Sequence, residues 1–228
     1  MRSRLDRLDR VASDLANATT AGYKSVRAAD EQADRAQFEA VLSGAVDVMS
    51  GVPRLDARPG TVAPTGRDLD VAIEGDGFFA IQTASGVRYT RNGHFSVRAD
   101  GALVTDDGSR VLGTEGALAL GPGKVSIDRD GAIRTGDAAA GRLAIVDFAD
   151  RGSLTREGAS RLRADGQTPA PVAQPIVHGG ALEQSNASVV ERIAELVDVQ
   201  RSFEALQKAV SLALNDTLGR AIDTLGRR

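Results

Sequence analysis

Apolar and polar positions change period twice along this chain. From Arg4 to Ala18, Leu5, Leu8, Val11, Ala12 and Leu15 recur at three- and four-residue spacing, which predicts an amphipathic helix. Arg4, Asp6, Arg7, Asp9 and Arg10 lie mostly off that stripe with alternating sign and read as a solvated face. Asn17 to Gly22 reads as the helix end: Thr and Asn side chains compete for backbone hydrogen bonds, and Gly22 suits a left-handed cap. Ala28 to Leu42 carries a weaker helical pattern ending near Gly44. Pro53, Pro59, Gly60, Pro64 and Gly66 then exclude regular helix and read as a linker.

From Leu69 the period falls to two. Leu69, Val71 and Ile73 alternate with Asp70, Ala72 and Glu74, the pattern of a half-buried strand. Turn dipeptides follow at Asp76-Gly77, Asn92-Gly93, Asp100-Gly101, Asp107-Gly108, Asp130-Gly131 and Asp165-Gly166. Short apolar runs lie between them, such as Phe78 to Ile81, Ala102 to Val104 and Leu143 to Phe148. Short strands at that spacing predict antiparallel hairpins, and no helices alternate with them to build a parallel sheet. Thr168 to Gly180, with Pro169, Pro171 and Pro175, reads as a second linker. The expected fold is therefore mainly β with terminal α-helices. Its centre is an antiparallel, Gly-rich sandwich or barrel-like domain.

The last segment returns to helical period. Ser188-Val189-Val190-Glu191 is a capping-box pattern. Val189, Leu196, Phe203 and Val210 are spaced by seven, with Ile193, Gln200, Gln207 and Leu214 in the intervening register, each four residues after one of them. That is a coiled-coil-like seam with two polar steps. Such a stripe must be buried, against the first helix, against other copies of the chain, or on the chain's own β domain. The expected segments are 1–45 (helical), 46–68 (linker), 69–167 (β domain), 168–187 (linker) and 188–228 (helix).

Composition narrows the chemistry. The 228 residues are 42% hydrophobic, enough for a real core. Aromatic content is 4% and the net charge is −3, which argues against a nucleic-acid or anionic-membrane binder. Cysteine is absent, which removes disulfides and thiolate chemistry. No apolar run approaches the ~20 residues of a membrane span, and the charged start does not read as a cleaved secretory signal. His94 and His178 have no second ligand at metal spacing. Asp128-Arg129-Asp130-Gly131 lacks the Glu that closes a calcium loop and reads as a hairpin turn. No nucleophile elbow, phosphate loop or dinucleotide fingerprint is present. The expectation is a non-enzymatic protein with no cofactor, no metal, no small-molecule substrate, no nucleic-acid partner and no membrane insertion.

Three ordered motifs resemble those of bacterial flagellar basal-body rod proteins. The first is Leu15 to Lys24 (LANATTAGYK). The second is Thr65 to Phe79 (TGRDLDVAIEGDGFF), continuing in Tyr89 to Phe95 and Asp100 to Val104. The third is Gly180 to Ser188 (GALEQSNAS), with Gln200 to Ala205 after it. Together they span nearly the whole chain. The resemblance implies a structural rod subunit that self-assembles through its terminal helices and transmits torque from motor to hook. Val111-Leu112-Gly113, Val125 to Gly131 and Gly141 to Phe148 look more like the proximal, FlgF-like type than the distal, FlgG-like type. A non-flagellar adhesin or binding protein built on the β domain is the other alternative.

The same resemblance implies partners and a location. The partners are other rod proteins, further copies of the chain and the flagellar export apparatus. The location is the basal body, reached by type III export without a cleaved leader. The implied subunit interface comprises Leu8, Val11, Leu15, Asn17, Val189, Ile193, Leu196, Gln200, Phe203, Val210 and Leu214. Family members begin with a longer helix before the first motif, so a start codon upstream of Met1, or a divergent paralogue, is expected.

Overall fold

The structure, a computed structural model, describes residues 2–27 and 54–225. The weak helical pattern at 28–42 lies outside the described residues. The chain opens with α1 (Arg2–Ala16), then β1 (Val26–Arg27), β2 (Arg54–Leu55), β3 (Val62–Pro64) and β4 (Val71–Glu74). Next come β5 (Phe78–Thr83), β6 (Gly86–Thr90), β7 (Phe95–Val97), β8 (Leu103–Thr105), β9 (Arg110–Gly113) and β10 (Gly116–Ala117). They are followed by β11 (Val125–Ile127), β12 (Ala132–Thr135), β13 (Ala138–Arg142) and β14 (Ile145–Asp147). A 3-10 turn (Arg151–Ser153) leads to β15 (Thr155–Glu157), β16 (Arg161–Arg163), β17 (Ala170–Pro171), β18 (Ile176–Gly179) and β19 (Ala181–Glu183). The last element is α2 (Val189–Leu225). The fold is mainly β with a helix toward each end, and every strand pairing is antiparallel.

Contacts divide the chain into two compact units: Met1–Leu15 with Ser188–Arg228, and Ala16–Ala187. The β unit is organised by β5, the centre of a ten-stranded sheet. One edge of β5 pairs with β6 along its length. The other edge is shared: Phe78 and Phe79 face β14, while Ile81 and Gln82 face β9. The sheet forks there and curls. Both faces of β5 are covered as a result. Phe79 and Ile81 enter a core with Val71, Phe95, Leu103 and Ile133. Phe78 and Ala80 enter a second core with Tyr89, Phe148 and Leu162. Edge-to-face rings close both, Phe79 on Phe95 at 5.2 Å and Tyr89 on Phe148 at 4.7 Å.

The turn chemistry follows from side-chain acceptors. Asp100 and Asp130 each accept from the backbone amide two residues on, Ala102 and Ala132, both at 3.1 Å. The Asp128–Gly131 segment is the hairpin turn between β11 and β12, with the Asp130 carboxylate held by Arg142 at 2.5 Å. Asn92-Gly93 departs from the simple turn reading. Gly93 is needed because a Cβ there would stand 1.7 Å from the Val71 carbonyl oxygen.

The segments read as linkers carry strands. Within 46–68 lie β2 and β3, and within 168–187 lie β17, β18 and β19. β18 pairs with β4 from Ile176↔Glu74 to Gly179↔Val71, and β19 pairs with β3. Proline misled the reading because a proline lacks a donor but fits the end or edge of a strand. Pro64 ends β3, and Pro171 sits in a two-residue strand. β4 also differs from a half-buried strand: Val71, Ala72 and Ile73 are all buried. The second face is covered as well as the first.

In the helical unit, α2 begins where the capping box places it, with the Glu191 amide donating to Ser188 Oγ at 3.4 Å. Arg7 Nε pairs with Glu195 Oε1 at 2.8 Å, and Arg192 pairs with Glu195 at 2.6 Å. Arg192 also approaches the buried Asp14 carboxylate at 3.9 Å. Val11 and Val199 are the buried apolar residues described in this unit.

Candidate functional site

The three motifs converge inside the β unit. Tyr23 and Lys24 of the first motif, and Ser25 directly after it, are 0–2% exposed. The chain reaches that depth through Gly22, which has φ +66 and presses against Arg91 and Asn92. A Cβ at Gly22 would lie 2.2 Å from the Asn92 nitrogen. Backbone bonds tie this segment to the third motif: the Gly22 amide donates to the Glu183 carbonyl at 2.8 Å, and the Asn186 amide to the Tyr23 carbonyl at 3.3 Å. The Asn186 side chain completes the tie. It accepts from the Ser25 amide and donates to the Asp56 carbonyl, both at 2.8 Å. Arg156 covers Tyr23, its guanidinium 4.9 Å from the ring centroid and bonded to the phenol oxygen.

At the centre lies a buried charge cluster. Lys24 Nζ donates to Glu183 Oε1 at 2.5 Å, and Arg91 donates to Glu183 Oε2 at 3.0 Å. The three side chains are 1–2% exposed. The Gly60 amide adds a third donor to Glu183 at 2.9 Å. The cations also reach carbonyls: Lys24 to Arg58 at 2.8 Å, and Arg91 to Gly75 at 2.6 Å and Ile73 at 3.3 Å. Burial pushes the Lys24 ammonium below its ordinary value, with the Glu183 carboxylate opposing the shift. Burial likewise lowers Arg91, again against Glu183. Two cations on one carboxylate is an arrangement that binds chain segments together.

The expected interface residues fall in different environments. Val11 is buried, and Leu8 and Leu15 are half-buried on α1. Asn17 is half-buried, and its carbonyl accepts from the Thr20 amide at 3.0 Å. On α2, Leu196 is half-buried, while Val189, Ile193 and Phe203 are 42%, 47% and 39% exposed and Gln200 is exposed. The side chains of Val210 and Leu214 lie outside the described residues. Arg192, Glu195 and Val199 lie on the side engaged with α1. At 100° per residue Val189 and Ile193 sit about 80° and about 120° around α2 from Val199, and Phe203 about 40° from it. Heptad counting singled out the seam and passed over Val199. The signal for Val199 is its spacing of four and seven from Glu195 and Arg192. The Lys24–Arg91–Glu183 cluster was not anticipated, although all three residues stand inside the quoted motifs.

His94 lies 2.8 Å from the Asp70 carboxylate, and His178 lies 2.8 Å from the Glu74 carboxylate. Among the described residues no group of three metal-ligating side chains is gathered. Nor is any described helix long and apolar enough to cross a membrane.

Comparison with known proteins places these motifs. Residues 72–136 match the flagellar hook protein FlgE/F/G D1 domain, and residues 178–223 match the flagellar basal body rod FlgEFG protein C-terminal family. The flagellar basal-body rod protein FlgF of Caulobacter vibrioides is 36% identical over 208 residues, covering 88% of this chain and 84% of that protein. FlgF of Mesorhizobium japonicum is 33% identical over 236 residues, covering 97% and 92%. FlgG of Bacillus subtilis is 31% identical over 235 residues, covering 90% and 88%. The motifs that meet at the Lys24–Arg91–Glu183 cluster, and the near full-length similarity to FlgF proteins, identify the chain as a member of the flagellar basal-body rod protein family, of FlgF type.

Proposed function

We propose that this chain is a structural, non-catalytic subunit of the flagellar rod, in the proximal, FlgF-like position. In this reading it assembles through its terminal helices and carries torque from motor to hook. The observation behind the reading is the exposed apolar arc of α2. Val189 and Ile193 turn away from the face engaged with α1, and they and Phe203 are 39–47% exposed in the single chain. An apolar helix face left in water is an association surface. Coiled-coil-like packing of this seam against neighbouring subunits would complete the burial. Repeated head-to-tail contacts of that kind build a helical filament.

The proposed partners are other rod proteins, further copies of this chain and the flagellar export apparatus. The proposed location is the basal body, reached without cleavage of a leader. The test is complementation of a flagellated strain lacking its own FlgF. The native chain is expected to restore swimming, and Ile193→Asp with Phe203→Ala to abolish it while leaving the chain folded and exported. Full swimming with the double substitution would overturn the assembly role of the seam. The similarity to the Bacillus subtilis FlgG supports one alternative, a distal, FlgG-like position. Rescue of a FlgG deletion but not a FlgF deletion would establish it.

A further inference from the structure

We infer that Glu183 is a latch that makes docking of the N-terminal segment 17–25 conditional on the finished C-terminal strand β19. The cluster holds two cations and one anion, all 1–2% exposed, so the three charges sum to one positive, with Asp56 acting on Lys24 and Asp76 on Arg91 from farther off. Removing the Glu183 charge leaves an ammonium and a guanidinium buried side by side. The two cations are not equally fixed. Arg91 follows β6 in the body of the sheet, bonds two carbonyls and stacks over Phe78 at 5.3 Å. Lys24 sits on a segment whose backbone is tied to Glu183, Asn186 and Asp56. Without Glu183, the charge is relieved at least cost by release of residues 17–25 into water.

Sequence distance gives the latch its direction. Glu183 lies 159 residues after Lys24. Chains are made from the N-terminus, and domains fold as their parts arrive. Segment 17–25 therefore has no low-energy seat until β19 exists and has paired with β3. The excess positive charge sharpens this condition. An apolar residue in place of Lys24 would be tolerated early, whereas an ammonium is not. The inference concerns the β unit alone and does not depend on the rod assignment.

The test is residue-resolved amide hydrogen exchange on the full chain. It compares the native protein with Glu183→Gln, Lys24→Met and the double variant. Glu183→Gln is expected to speed exchange at Gly22 and Ser25 by about 100-fold or more, leaving Ile81 in β5 within about 3-fold. Lys24→Met leaves a neutral Arg91–Glu183 pair and should change Gly22 by less than about 10-fold. In the double variant the excess charge is halved relative to Glu183→Gln, and Gly22 protection should largely return. The inference is overturned if Gly22 is unmoved by Glu183→Gln, if Ile81 is deprotected as strongly as Gly22, or if Lys24→Met fails to restore protection.

Discussion

Gly22 and Phe79 show how much single positions carry. Gly22 combines a left-handed φ of +66 with backbone contact on Arg91 and Asn92, so a methyl group is refused by both conformation and space. Gly22→Ala is expected to destabilise the docked segment by about 2 kcal/mol or more. Denaturant unfolding monitored at the buried Tyr23 would measure it. Phe79 is fully buried in the core that β5 shares with β7, β8 and β12. Phe79→Ala is expected to cost about 3–5 kcal/mol, read as a fall in the melting temperature of the β unit. The need for glycine at position 22 was legible from the residues around it. The need at position 93 was not, because it comes from the Val71 carbonyl of a strand far along the chain.

Among the elements, α2 separates two kinds of apolar residue. Val199 is buried beside the ion pairs that join α1 and α2, whereas Phe203 is 39% exposed. Val199→Ala is expected to weaken the helical unit by about 1–2 kcal/mol, seen as earlier loss of helical circular dichroism on heating. Phe203→Ala is expected to leave that transition unchanged and to lower incorporation into rods. Equal thermal effects of the two substitutions would contradict the difference in their burial. The helices themselves were readable, because a 3.6-residue period and a capping box are local signals. Which face of α2 meets α1 was not, because Arg192 and Glu195 read as solvent residues until Asp14 and Arg7 are placed beside them.

For the whole molecule, the surface ion pairs set an acid limit. The Arg151 guanidinium holds the Asp147 carboxylate below its ordinary value of 3.8, and Arg163 does the same for Asp165. A carboxylate lowered in the folded state stabilises fully above its unfolded value. That contribution is lost as pH falls through the folded value. Melting temperature is therefore expected to be flat from about pH 7 to 5 and to fall steadily below about pH 4. Arg151→Ala should move the onset of the decline by removing the shift at Asp147. A melting temperature that already falls between pH 7 and 5 would assign acid sensitivity to other groups. Exposed pairs of this kind each contribute little at neutral pH, so the two apolar cores carry the resting stability.

The sequence by itself determined what depends on neighbours in the chain: the terminal helices, the Asp-Gly turns, the antiparallel hairpins and the three motifs that carry the family. Short-range periodicity and turn chemistry need no knowledge of the rest of the molecule. Tertiary structure alone decided the remainder. It turned Pro-containing segments into edge strands β3 and β17, because their partners arrive from distant parts of the chain. It split β5 between two cores, because the fork of the sheet covers both faces. It also brought Lys24, Arg91 and Glu183 to one buried point. No periodicity encodes that meeting, because a charge reads as exposed until its counter-charge is placed against it.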